Sequence, residues 1–96
     1  MEISIMPNEN GLLFLLSGRL DTLTAPRLQE ALAGLSPDVK SLRFDLSVLE
    51  YISSAGLRAL LSAYKKLNGA VTLTGLNEIC REVFTVTGFT EVFTIE

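Results

Sequence analysis

Two adjacent hydroxyls, Ser53 and Ser54, stand where the sequence changes from a strand pattern to a helix pattern. Serine at a helix start caps free backbone N–H groups. The same position favours negative charge, because unpaired N–H groups and the helix dipole both point at it. A hydroxyl held there is well placed to carry a phosphate; the plain alternative is that Ser54 is only a cap. Catalysis finds less support. The chain has no histidine, so the usual general base near neutral pH is missing. It has neither a Gly-x-Ser-x-Gly elbow nor a P-loop. A Ser–Lys pair would need Lys65 or Lys66 to return three helical turns to Ser54, beyond their reach. The lone Cys80 excludes an internal disulfide and a multi-cysteine metal site, and is most simply a small buried hydrophobe. We therefore expect no catalytic residues, no metal and no cofactor of the chain's own.

The elements that position the two serines are legible on either side. Leu42, Phe44 and Leu46 alternate with Arg43 and Asp45, the period-2 signature of a strand. A connection is expected over Ser47–Ser53, then a helix from Ser54 or Ala55 to Asn68. Leu57, Leu60, Leu61, Tyr64 and Leu67 share one helical face. Asn68-Gly69 is a natural stop, since both residues tolerate left-handed backbone angles.

Upstream, Ile3 and Ile5 lie opposite Ser4 and Met6, and Pro7-Asn8-Glu9-Asn10-Gly11 is a cluster of turn formers. Leu12–Leu16 is a continuous apolar run, expected for a central strand covered on both faces. This predicts a hairpin whose second strand ends near Ser17–Leu20. Thr22 or Thr24 then caps a helix, with Pro26 in its first turn, and Gly34–Pro37 ends it. Downstream, Val71–Thr74 alternates as a strand and Gly75 breaks it. Asn77 caps a third helix with Ile79, Val83 and Val86 on one face and Cys80 paired with Phe84. Gly88 closes that helix as a left-handed cap, and Val92–Ile95 makes a last strand. The order is β-β-α-β-α-β-α-β without linker, repeat or low-complexity segment. Such alternation implies a mixed, mostly parallel α/β sheet of about five strands with right-handed crossovers. If each crossover steps the same way, all three main helices land on one face.

A chain of 96 residues suits a single small domain, here 1–96. Its hydrophobic content of 48% against 20% charged argues for a packed core. With a net charge of -3 and no basic run, direct nucleic-acid binding has no electrostatic footprint. Leu12–Leu16, the longest apolar stretch, is too short to span a bilayer, and Met1–Ile5 reads as a strand rather than a secretory start. These features fit a cytoplasmic protein with no membrane attachment.

The run Asp45-Leu46-Ser47-Val48-Leu49-Glu50-Tyr51-Ile52-Ser53-Ser54-Ala55-Gly56-Leu57-Arg58-Ala59-Leu60-Leu61 resembles the signature of STAS domains, the anti-sigma factor antagonists. Gly18-Arg19-Leu20-Asp21 resembles the turn that leads into the family's first helix. The resemblance implies a compact sheet with helices packed on one side. It implies that Ser54, the serine just before the small-residue–Gly pair, accepts phosphate from a partner kinase. Ser53 stands where the family often has Asp. Asp21, Asp45, Ser53, Ala55, Gly56, Leu57 and Arg58 become neighbours of the phosphosite or partner contacts. Asp21 has a second reading as an organiser of its own turn, and Asp45 as a strand-end residue bonded to the next turn. Together the two carboxylates form a weak signal for a water or a kinase-bound Mg²⁺. The implied function is that of an anti-sigma factor antagonist. Unphosphorylated, it binds an anti-sigma factor that is also a serine kinase of the GHKL ATPase type, and it frees the sigma factor. Phosphorylation of Ser54 ends binding, and a PP2C-type phosphatase restores it. The alternative is a STAS module that works without phosphorylation as a structural or regulatory subunit of a transport or signalling complex.

Overall fold

The computed structural model describes residues 1–9 and 11–96; Asn10, part of the predicted turn, lies outside them. The elements are β1 (Glu2–Asn8), β2 (Gly11–Leu20), α1 (Ala25–Ala33), β3 (Ser41–Ile52), α2 (Ser54–Lys66), β4 (Val71–Thr74), α3 (Glu78–Val86), a single 3-10 turn (Phe89–Glu91) and β5 (Thr94–Ile95). The five strands lie in the sheet in sequence order. β1 pairs antiparallel with β2, and every later pair is parallel. Each crossover therefore steps one place in the same direction. Right-handed crossovers of that kind put every helix on the same face, as the alternation predicts.

One core results. Phe14, Leu16, Leu42, Phe44, Leu46 and Leu73 project from the sheet against Leu28 and Leu32 of α1, Leu57 and Leu60 of α2, and Cys80 and Phe84 of α3, all buried. The opposite face stays open, and this corrects the expected two-sided cover of Leu12–Leu16. Leu13 and Leu15 are only half-buried, beside Arg43 and Asp45 in register, and lie outside the hydrophobic core. The apolar run is continuous because the outer face of β2 is apolar too.

The connection expected over Ser47–Ser53 is mostly strand, since β3 continues to Ile52. Between the pairs Leu15–Asp45 and Leu20–Ile52, β2 advances five residues and β3 seven, through two register shifts. The two extra residues are bulges that break the alternation. Burial then falls on Leu46, Leu49 and Ile52, a spacing of three that does not read as a strand. Other boundaries shift in smaller ways. β1 runs on through Pro7, which an edge strand tolerates, and β5 is two residues long because Phe89–Glu91 turns first. Asn68, Gly69 and Gly88 take the predicted left-handed angles, with φ of 54°, 89° and 80°.

Two helix faces differ from expectation. Leu61 is half-buried at the rim, while Ala59 and Ala63 are buried with Leu57 and Leu60. On α3, Cys80 and Phe84 face inward, and Ile79 and Val86 are 59% and 76% exposed. α3 is apolar on two sides, so spacing alone could not decide which stripe the sheet would take. Among the described residues no helix is long and apolar enough to cross a membrane.

The corrected face of α2 is measurable. Leu60→Ala removes a fully buried side chain and is expected to cost about 2–5 kcal/mol. Leu61→Ala at the rim should cost less than about 1.5 kcal/mol. Urea denaturation of the two variants checks the assignment, and equal midpoints would contradict it.

Candidate functional site

The site is built where β2 and β3 end together. Leu20 and Ile52 form their last pair and both are fully buried. The Ser53 N–H donates to the Leu20 carbonyl at 2.9 Å, which carries the pairing one residue past the sheet. Ser53 keeps an extended backbone (φ -101°, ψ 176°), and its hydroxyl oxygen accepts from the Gly56 N–H at 3.4 Å. Ser53 is therefore the cap of α2. Ser54, for which a capping role is the plain sequence reading, is the first helical residue and is exposed.

Gly56 explains the close seating of the helix. A Cβ built there would lie 2.7 Å from the Leu20 carbonyl oxygen, 2.8 Å from Leu20 Cγ and 2.9 Å from Ile52 Cγ1. Only a residue without a side chain lets the first turn of α2 rest on the last strand pair. Gly56 and Leu57 consequently face the core, Ala55 is half-buried, and Ser54 and Arg58 face out.

Asp21 follows β2 and organises its own loop. Its carboxylate accepts from the Leu23 N–H at 3.0 Å and the Thr24 N–H at 3.2 Å, and Arg19 Nε lies 3.7 Å away. Thr24 occupies the cap position of α1 without a side-chain cap bond. Its hydroxyl is spent on the loop, donating to the Arg19 carbonyl at 2.7 Å and accepting from the Asp21 N–H at 2.9 Å. Partial desolvation acts to raise the Asp21 pKa. The bonds from Thr24 and Leu23, with the Arg19 charge, outweigh it and hold the carboxyl below its ordinary value.

Asp45 does not join this site. It pairs with Leu15 in the middle of β3, roughly 15–20 Å along the strands from the Leu20–Ile52 pair. Its carboxylate accepts from the N–H and hydroxyl of Ser47, at 3.0 and 2.7 Å, where the first bulge begins. The expectation that Asp45 ends its strand beside the serines fails because the bulged strand continues seven residues further. Asp21 and Asp45 thus do not converge on a common water or metal ion.

A shallow groove of about 730 Å³ runs between α1 and α2, with Ala55, the residue after Ser54, in its lining. Ala55, Arg58 and Ser62 line one wall, and Thr22, Ala25, Pro26, Gln29 and Glu30 the other. The α1 wall escapes the sequence reading. Its only signal there is that Pro26, Gln29 and Glu30 lie off the apolar face of α1, and that does not mark a surface. Leu20 is missed as well, because it acts through its backbone carbonyl.

Two outcomes follow. Ser53→Ala should cost about 0.5–2 kcal/mol as a lost cap, whereas Ser54→Ala should stay within about 0.5 kcal/mol; thermal melts decide. For Asp21 the folded pKa is below the unfolded one, so its stabilisation is present above about pH 4 and is lost as pH falls through the folded value. Asp21→Asn should therefore lose less stability than the parent between about pH 4 and pH 2, measured as urea midpoint against pH.

Comparison with known proteins places this geometry. The STAS domain family model matches residues 3–96. An anti-sigma-B factor antagonist of Bacillus subtilis is 29% identical over 98 residues, covering 99% of this chain and 90% of that protein. One from Listeria monocytogenes is 33% identical over 86 residues, covering 83% and 74%. The crystal structure of an anti-sigma factor antagonist from Mycobacterium paratuberculosis superposes with a TM-score of 0.87 at 26% identity, over 98% of this chain and 83% of that one. With its strand order, its glycine-seated helix and its exposed serine, the chain belongs to the STAS domain family of anti-sigma factor antagonists.

Proposed function

We propose that this chain binds an anti-sigma factor when Ser54 is free and releases it when Ser54 is phosphorylated. The observation that carries the reading is the division of labour between the two serines. The Ser53 oxygen is committed to the Gly56 N–H, and Ser54 stands exposed at the first helical position, next in sequence to Ala55 of the α1–α2 groove. Membership of the STAS family supports an anti-sigma factor as the partner; in this reading that factor is also a serine kinase of the GHKL type, acts in the cytoplasm and is opposed by a PP2C-type phosphatase.

The chain is substrate and ligand in this scheme, and ATP with its Mg²⁺ belongs to the kinase. The Ser54 hydroxyl oxygen attacks the γ-phosphorus of ATP. A serine O–P bond forms, the bond to the bridging oxygen breaks, ADP leaves, and the hydroxyl proton passes to a base of the kinase. The product carries about -1.5 to -2 charge at pH 7. The fold accommodates it, since charge at a helix N-terminus is favoured by about 0.3–1 kcal/mol. A partner surface built against a neutral serine meets an unpaired charge, and such losses in interfaces cost about 2–5 kcal/mol.

The test uses the partner captured from the native host. With partner and ATP, mass spectrometry should find one phosphate per chain, on Ser54, and Ser54→Ala should abolish labelling. Ser54→Asp should keep the melting curve and weaken partner binding at least about thirtyfold. Phosphate on Ser53, or on a threonine near Asp21, would overturn the assignment. ATP turnover by the purified chain alone would overturn its reading as a non-enzyme.

A further inference from the structure

Ser54 and Arg58 are four residues apart on the 13-residue helix α2, and both are exposed. Residues at that spacing are neighbours, with Cβ atoms about 5–6 Å apart. Helical side chains lean toward the N-terminus, so a long side chain at position 58 is within reach of the turn that holds Ser54. Among the described residues Arg58 takes part in no ion pair, whereas Arg19 is paired with Asp21 and Arg43 with Glu96. Arg58 also lines the α1–α2 groove, with Glu30 on the facing wall.

We propose that Arg58 is the positioning residue for the phosphate on Ser54, and that holding it withdraws Arg58 from the groove. This deepens the phosphoswitch above and rests on it for its biological setting. The guanidinium fork matches two phosphate oxygens at once. A phosphate of about -1.5 to -2 charge attracts it more strongly than the single charge of Glu30 on the facing wall, with which the fork forms no ion pair. Phosphorylation then changes the surface twice: it adds an anion at Ser54 and removes a cation from the groove wall. A partner that places an acidic group against Arg58 loses that contact along with the neutral serine.

The experiment installs phosphoserine at position 54 by synthesis, so no kinase is needed, and follows the phosphate titration by ³¹P NMR. A nearby cation favours the dianion and lowers the second phosphate pKa. Arg58→Gln should therefore raise that pKa by about 0.15–0.4 unit, the scale of an exposed pair at this spacing. Arg58→Lys, which keeps the charge but not the fork, should restore part of the shift, and about 1 M salt should erase the difference. Unphosphorylated Arg58→Gln should melt like the parent. An unchanged titration in Arg58→Gln would overturn the proposal, as would a shift of which Arg58→Lys restores none. Whether a kinase marks Ser54 is read separately by the mass spectrometry above, so the failure of one reading does not mimic the failure of the other.

Discussion

The whole site depends on one contact: the first turn of α2 lies directly on the Leu20–Ile52 pair. Gly56 permits the approach, since a Cβ there would stand 2.7 Å from the Leu20 carbonyl oxygen. That same carbonyl accepts the Ser53 N–H at 2.9 Å, so strand pairing, cap and helix entry share one anchor. Ser53 is turned inward to cap, and Ser54 is left on the outside as a consequence. A larger residue at position 56 would have to lift the helix start, and with it the serine, off the sheet. The position of the hydroxyl is thus a by-product of packing, and it needs no dedicated support.

Electrostatics around Ser54 are simpler than two upstream carboxylates suggest. Asp45 is removed by distance. Asp21 is close in the chain to the end of β2, yet its Oδ1 is occupied by its own loop and its Oδ2 is faced by Arg19. The opposition to a phosphate therefore comes from less negative charge than the sequence implies, while the helix N-terminus and Arg58 act in its favour. The phosphorylated state is comfortable for the chain itself, which locates its cost in the partner interface.

Much of the fold was legible because the sheet is covered on one face. One-sided cover yields clean alternation in Leu42–Leu46 and Val71–Thr74, and amphipathic helices such as Leu57-Leu60-Tyr64. The failures have specific causes. Two bulges in β3 shift its phase, so a continuous strand looks like a connection, and the misplacement of Asp45 follows from that alone. α3 carries apolar residues on both Cys80–Phe84 and Ile79–Val86, and tertiary packing chose between them. Adjacent serines compete for one cap, and their identical chemistry hides which one wins. The family motif legible at Ser54-Ala55-Gly56-Leu57 marks the serine proposed to take phosphate, whereas the groove wall on α1 arises only when α1 and α2 pack together.

The same packing decides what kind of switch this fold allows. α2 is held at both ends: Gly56 and Ser53 fix its start, and Lys66 at its last turn donates to the Leu32 carbonyl of α1 at 2.9 Å. Between them Leu57, Ala59, Leu60 and Ala63 are buried. Burying one leucine side chain contributes about 1.5–3 kcal/mol, so rotating or sliding the helix would forfeit several kcal/mol. Charge at its N-terminus supplies only about 0.3–1 kcal/mol, and an exposed pair with Arg58 about 0.2–0.5 kcal/mol more. A phosphate on Ser54 would be too weak a lever to move the helix that carries it. In the proposed switch its effect stays at the surface, in the charge that Ser54 would gain and the cation that the groove would give up.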